Sequence, residues 1–187
     1  MYVLMDIEWV QHENEMQWPT QIAAMRVDKD WNAQDLFYTR IQPEDPQFHI
    51  WDHVAYTGGY ANEFLSAPPL KEVCSQLFRW LKPGDILCWW REYSDEVFHR
   101  FFSQLENSSL ILFPHISSYL HYSPYLIGSE YHIVNQFGIK QCGKRHFAKD
   151  DIETMRLALH LLKFPQELLE IPIEHRPNTS QTQLATY

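Results

Sequence analysis

Met1-Tyr2-Val3-Leu4-Met5-Asp6-Ile7-Glu8-Trp9-Val10 is a run of large apolar side chains interrupted by two acids. A run this short and this apolar fits a strand buried on both faces of a sheet. Strand side chains alternate between faces, so Asp6 and Glu8 project from the same side near the end of the run. Two carboxylates held side by side repel unless a proton or a cation relieves them, and a divalent metal is the simplest relief. Taken alone, the triplet Asp-x-Glu only marks the point where a strand leaves the core, because motifs this short recur by chance.

The chain has 187 residues, 45% of them apolar, enough for one domain with a substantial core. We expect residues 1–165 to form that domain and residues 166–187 to be a partly disordered extension, because periodicity ends near Pro165 and Arg176 to Tyr187 is polar. No segment approaches the roughly 20 uninterrupted apolar residues that cross a bilayer, and Asp6 breaks the apolar N-terminus too early for a signal peptide. The expectation is a cytoplasmic protein with no membrane partner. Cys74, Cys88 and Cys142 are odd in number and widely spaced, which argues against a disulfide framework or a zinc knuckle and for reduced thiols. The formal charge of -9 weighs against a general duplex-binding protein, since phosphate neutralisation supplies most non-specific affinity. It leaves room for a nuclease whose bound cations supply the local positive field, with a polyanion held by its end.

Beyond the first strand, His12 to Thr20 reads as a loop and Gln21 to Val27 as a second strand. Asp28 to Asn32 reads as a hairpin turn, and Asp35 to Gln42 as a third strand completing an antiparallel meander. Residues 47–69 read as loop-rich, with one helical turn at Asn62 to Ser66. Pro69 opens an amphipathic helix in which Leu70, Val73, Leu77 and Leu81 share a face, and Pro83-Gly84 ends it. Ile86 to Trp90 reads as an interior parallel strand, Ser94 to Glu106 as a helix and Leu110 to Phe113 as a fifth strand. Ile116 to Phe137 reads as a short helix, a turn and a longer helix stopped at Gly138. Gln141 to Arg145 reads as a basic loop, and Asp150 to Leu162 as a last helix. This order predicts an α/β sandwich with a mixed five-stranded sheet flanked by helices.

Two further acid groups deserve weight beside Asp6 and Glu8. Asp95 falls in the first turn of the helix after the interior strand, where a carboxylate suits the helix dipole even without a function. Sites in open α/β sheets nevertheless form outside the carboxyl ends of strands, which is where Asp6, Glu8 and Asp95 converge. The run His146-Phe147-Ala148-Lys149-Asp150-Asp151 carries the last group. Asp150 with Glu153 has capping-box spacing, which leaves Asp151 to be explained, with His146 just before the helix and able to swing over the same place.

These residues resemble the DEDDh family of 3′-to-5′ exonucleases, the proofreading-exonuclease and ribonuclease T type, in the ribonuclease H-like superfamily. The resemblance covers about residues 1 to 163. Asp6 and Glu8 match the first motif, Gln21 to Asp28 the strand that follows it, Asp95 the second-motif aspartate, and His146 with Asp151 the His-x-x-x-x-Asp of the third. The sister y-type has a tyrosine four residues before the last aspartate; here that place is held by Phe147, which has no hydroxyl. The chain departs from the family at Trp9-Val10-Gln11-His12, where a small hydroxyl residue and glycines are usual, and at Trp89-Trp90-Arg91-Glu92 in place of a His-Asn pair.

The resemblance implies that Asp6, Glu8, Asp95 and Asp151 hold two Mg²⁺ or Mn²⁺ ions, with Asp95 acting largely through water, and hard oxygen donors suit such ions. Paired metals about 4 Å apart clamp the attacking and leaving oxygens of a phosphodiester. It further implies that His146 is the general base, its ordinary pKa of about 6.5 leaving it mostly neutral at pH 7. The implied substrate is the 3′ end of single-stranded DNA or RNA, and the product a nucleoside 5′-monophosphate. Trp9 either stacks on a base, worth about 1–3 kcal/mol in single-strand binders, or packs in the core. Lys140, Lys144 and Arg145 either steer the strand or are simply solvated. Many relatives are dimers, so a homodimer stays open. A different class of reading is a catalytically weak or inactive binding module that keeps the fold and recruits a partner through its C-terminal tail. A hydrolase using Cys88 as nucleophile is disfavoured, since thiols inside apolar strands are usually inert.

Overall fold

In this computed structural model the described residues are 1–11, 17–44, 46–90, 94, 96–98, 100, 116–119, 138–164 and 166. Strands β1 (Tyr2–Gln11), β2 (Gln17–Val27) and β3 (Ala33–Arg40) form the antiparallel meander. Helices α1 (Pro46–Thr57), α2 (Ala61–Leu65) and α3 (Leu70–Trp80) follow. Then come β4 (Ile86–Trp89), β5 (Ile116–Tyr119) and the helix we label α4 (Ala148–Leu161). The five strands lie in the order β3-β2-β1-β4-β5, with β4 parallel to β1 and β5 parallel to β4.

The alternation of β1 sorts its side chains between two cores. Leu4 joins Ala23, Met25, Cys88 and Trp90 on the face covered by Ala148, Ile152, Met155 and Leu159 of α4. Val3, Met5 and Ile7 join Ile22, Ala24, Leu87 and Trp89 on the face covered by Val73, Cys74 and Leu77 of α3, together with Val97 and Phe98. Each helix presents the apolar stripe its spacing dictates, and β1, β2 and β4 are buried between two helical layers.

The differences from expectation have local causes. β2 starts at Gln17, four residues before the expected strand, and runs through Pro19. Pro19 pairs with Trp9 where the register shifts between Glu8 and Trp9, an irregularity that tolerates a missing N–H. The stretch expected to be loop-rich contains the twelve-residue α1. Its aromatic and β-branched residues are indifferent helix formers, so propensity did not reveal it, although Pro46 sits at its first position, where proline is favoured. Ile116 to Tyr119, expected in a helix, is the fifth strand; Leu110 to Phe113, expected to supply that strand, lies outside the described residues. Helix α4 begins at Ala148 with Phe147 as its N-cap, so Asp150 caps nothing. Its carboxylate instead accepts the backbone N–H of Lys144 at 2.7 Å and holds the preceding loop.

Candidate active site

The parallel register of β1 with β4 ends at Met5 opposite Trp89, so Asp6 and Glu8 lie beyond the carboxyl end of β4, on the Leu4 side that faces α4. On α4, Asp151 stands one residue before Ile152 and one turn before Met155, both fully buried, and is itself only 3% exposed. Packing of α4 on the sheet therefore carries Asp151 to the two strand carboxylates. One oxygen from each of Asp6, Glu8 and Asp151 lies within 4.8 Å of the others. Among the described residues this is the one group of three acids, histidines or cysteines so close together.

The electrostatics show the crowding. Burial, then the charge of Asp151, pushes the Asp6 carboxyl well above the usual carboxylate range, against a hydrogen bond from the Ile7 amide. Burial also raises Asp151, although Gln141 and Glu8 hydrogen-bond to it and pull the other way. Asp6 Oδ2 is buried without a hydrogen-bond partner among the described residues. A buried acceptor with no donor, in a cluster of three acids, is what a divalent cation would satisfy, and an all-oxygen donor set suits Mg²⁺ or Mn²⁺ better than softer metals.

His146 comes to the same place. Its backbone is left-handed, φ 60°, an uncommon conformation for a residue with a side chain. Its Nδ1 lies 3.6 Å from Glu8 Oε2, too far for a hydrogen bond but within electrostatic reach. Burial, then the Arg145 guanidinium, pushes the His146 pKa below the ordinary histidine value, against the pull of Asp151. The imidazole is thus neutral at pH 7 and able to accept a proton.

The remaining candidates separate. Asp95 lies outside the described residues. Trp9 is half-buried and packs against the α3-side core, the core that also takes Val3, Met5 and Ile7. That placement favours packing over base stacking. Arg145 is exposed beside His146. The exposed Lys144 extends its amine over Gly58, just past the end of α1, into the space a Cβ would fill. Gly58 has φ +73°, so both conformation and proximity call for glycine there. Lys140 is exposed. Cys74 and Cys88 are buried and Cys142 partly so, and none of the three forms a disulfide.

Two contributors escaped the sequence reading. Gln141 Nε2 donates to Asp151 Oδ1 at 2.7 Å, a role that a polar residue in a basic loop does not announce. Tyr56, on α1, lies against His146 with ring centroids 4.9 Å apart and planes 34° apart. Burial, then the charges of the nearby carboxylates, led by Glu8, raises its phenol. No spacing rule links Tyr56 to His146, because the contact exists only once α1 docks.

No protein-family model matches the chain, and no curated protein matches it in sequence. Solved structures match its fold. The nuclease domain of 3′hExo, a DEDDh family member bound to rAMP, superposes with a TM-score of 0.68 at 14% identity, over 91% of this chain and 94% of that one. Cell-death related nuclease 4 gives 0.70 at 14% identity, over 87% of this chain and 63% of that one. E. coli Exonuclease I in complex with a dT13 oligonucleotide gives 0.66 at 17% identity, over 90% of this chain and 42% of that one. The chain thus spans under two thirds of the length of the latter two. No helix among the described residues is long and apolar enough to cross a membrane. The strand order, the two helical layers and the superpositions together give this chain the fold seen in these exonuclease structures, the DEDDh nuclease domain of 3′hExo among them.

Proposed function

We propose that the protein is a metal-dependent 3′-to-5′ exonuclease acting on the 3′ end of single-stranded nucleic acid, DNA or RNA, and releasing nucleoside 5′-monophosphates. The observation that carries the reading is the meeting of Asp6, Glu8 and Asp151 within 4.8 Å, with Asp6 Oδ2 buried and unpartnered among the described residues. Asp6, Glu8 and Asp151 would hold paired Mg²⁺ or Mn²⁺, with Asp95 assigned a supporting place by motif. When bound, such ions supply charge stabilisation to a phosphodiester undergoing in-line displacement. His146, neutral and beside Glu8, takes the proton of the attacking water. Gln141 holds Asp151 in place through its 2.7 Å hydrogen bond. Tyr56 lies along the imidazole and limits its swing. Lys144 and Arg145, both exposed and beside His146 in sequence, are the cations that would meet a phosphate.

The test is incubation of the purified chain with a 3′-labelled single strand and Mg²⁺ or Mn²⁺, beside Asp6→Ala. Release of label as mononucleotide by wild type and not by the variant is expected. No release by wild type, or equal release by both, overturns the reading. Matched DNA and RNA strands in the same assay identify the preferred sugar.

A further inference from the structure

Gln21 is the residue of β2 directly opposite Glu8 in the antiparallel register. Directly opposed residues share a face with their Cβ atoms about 4.5–5.5 Å apart, so the Gln21 amide shares the face of the acidic cluster. It is fully buried, at 0% exposure. Its Oε1 accepts a hydrogen bond from the Tyr38 hydroxyl at 3.2 Å. Its Nε2 is buried with no partner among the described residues. Buried donors are satisfied in the great majority of cases, and an apolar side chain of the same volume would fill this place without leaving one unpaired. The orientation of the amide follows from its neighbours. With the Tyr38 hydroxyl donating to its oxygen, the amide turns its N–H₂ away from Tyr38. Burial pushes the Tyr38 phenol up to about 12, so it remains a donor at neutral pH. Tyr38 is itself braced by Phe147, the residue after His146, with ring centroids 5.3 Å apart.

We propose that Gln21 is a positioning residue for Glu8: its amide N–H₂ donates to the carboxylate oxygen that a bound cation leaves free, and Tyr38 sets the direction of that amide. The inference rests on the reading of Asp6, Glu8 and Asp151 as a cation site. It assigns to β2 and β3 a part in cation binding that the acidic residues alone do not require. A line Tyr38–Gln21–Glu8 runs across three adjacent strands and ends on the cation, so cation affinity depends on a neutral amide that touches neither metal nor substrate.

The experiment compares wild type, Gln21→Met and Tyr38→Phe as full chains, by calorimetric titration with Mn²⁺ and by thermal unfolding in chelator. Gln21→Met keeps the volume and removes the donor. It is expected to weaken Mn²⁺ binding by about ten- to a hundredfold, the usual range for residues that orient ligands, while its unfolding midpoint in chelator equals or exceeds that of wild type. Tyr38→Phe should weaken Mn²⁺ binding in the same direction and by less. Wild-type Mn²⁺ affinity in Gln21→Met overturns the proposal, as does a loss of stability in chelator with affinity unchanged, which would make Gln21 a core hydrogen-bonding residue only. Should Gln21→Met fail to fold, Tyr38→Phe decides: weakened binding supports the proposal and unchanged binding overturns it. A wild-type chain that takes up no Mn²⁺ overturns the cation reading itself, whereas uptake by wild type and variants alike overturns this inference alone.

Discussion

Charge is buried at both ends of β1, and the two ends deal with it in opposite ways. Near the start of the strand, opposite Val3, Arg26 is 2% exposed and its guanidinium reaches Asp85 at 2.8 Å, Asp35 at 3.1 Å and the Trp80 carbonyl at 2.9 Å. The same group lies 4.0 Å over the Trp80 ring, and the Met1 ammonium stands 3.5 Å from Asp85. Near the end of the strand, Asp6 and Glu8 meet Asp151, like charge against like, and one oxygen of Asp6 has no donor among the described residues. The first cluster neutralises itself with side chains of the chain; the second gathers three carboxylates that protons or an outside cation would neutralise. A buried ion pair contributes little net stability but is costly to break, so the Arg26 cluster reads as architecture. A buried group of carboxylates is destabilising by itself, so the second reads as a site.

The largest test of this contrast is Asp151→Asn. It is expected to abolish Mn²⁺ uptake and Mn²⁺-dependent release of 3′ label, yet to leave the unfolding midpoint in chelator at or above wild type, because it removes a carboxylate from a crowded, desolvated place. Retained uptake with a lowered midpoint would put Asp151 in the same structural class as Asp85. At the other end, Asp85→Ala removes the buried partner of the Arg26 guanidinium, leaving it the exposed Asp35, and should cost about 3–5 kcal/mol in denaturant unfolding. A cost below about 1 kcal/mol would place that pair with weak surface bridges and dissolve the contrast.

Within the acidic end, His146→Ala should slow turnover by at least about a hundredfold at unchanged Mn²⁺ affinity, since it removes a proton acceptor and no metal ligand. Near-normal turnover would take His146 out of the mechanism. The smallest effect is in the pH dependence of stability measured in chelator. Asp6 and Asp151 are raised by burial in the folded state, so their unfavourable contribution grows as pH rises from the unfolded carboxylate value of about 3.9 through the raised native values. Burial alone would raise Asp85 as well, but hydrogen bonds from Arg26 and the Lys82 amide, with the Arg26 charge, hold it below its usual value. Its contribution is therefore present above about pH 3.9 and lost as pH falls through the depressed value. Unfolding midpoints across pH 2 to about 8 should thus decline on the alkaline side in wild type and flatten there in Asp151→Asn, and decline less on the acid side in Asp85→Asn. Identical slopes in all three proteins would show that the two clusters titrate alike.

Legibility in the sequence followed the range of the interaction. The meander, the helix from Leu70 and the last helix are written as local periodicities and were readable with only end residues displaced. Helix α1 was not, because its aromatic and β-branched residues form a helix largely through packing. Pro19 made a true strand look like a loop, since nothing local says that it faces a register shift in β1. Trp9 could be read either as core or as a stacking platform until the structure set it against the α3-side core. Lys144 looked like a free cation until its amine was found over Gly58.

By itself the sequence determined that Asp6 and Glu8 share a strand face with Leu4, and that Asp151 lies on the same helical stripe as Ile152 and Met155, because strand and helix periods are properties of the local backbone. Only the tertiary structure decided that this stripe packs on that face, bringing the three carboxylates within 4.8 Å, with Gln141, Tyr56 and Gln21 at their sides. Those neighbours come from three different parts of the chain, and which atoms meet between elements depends on register and docking, which no local period encodes.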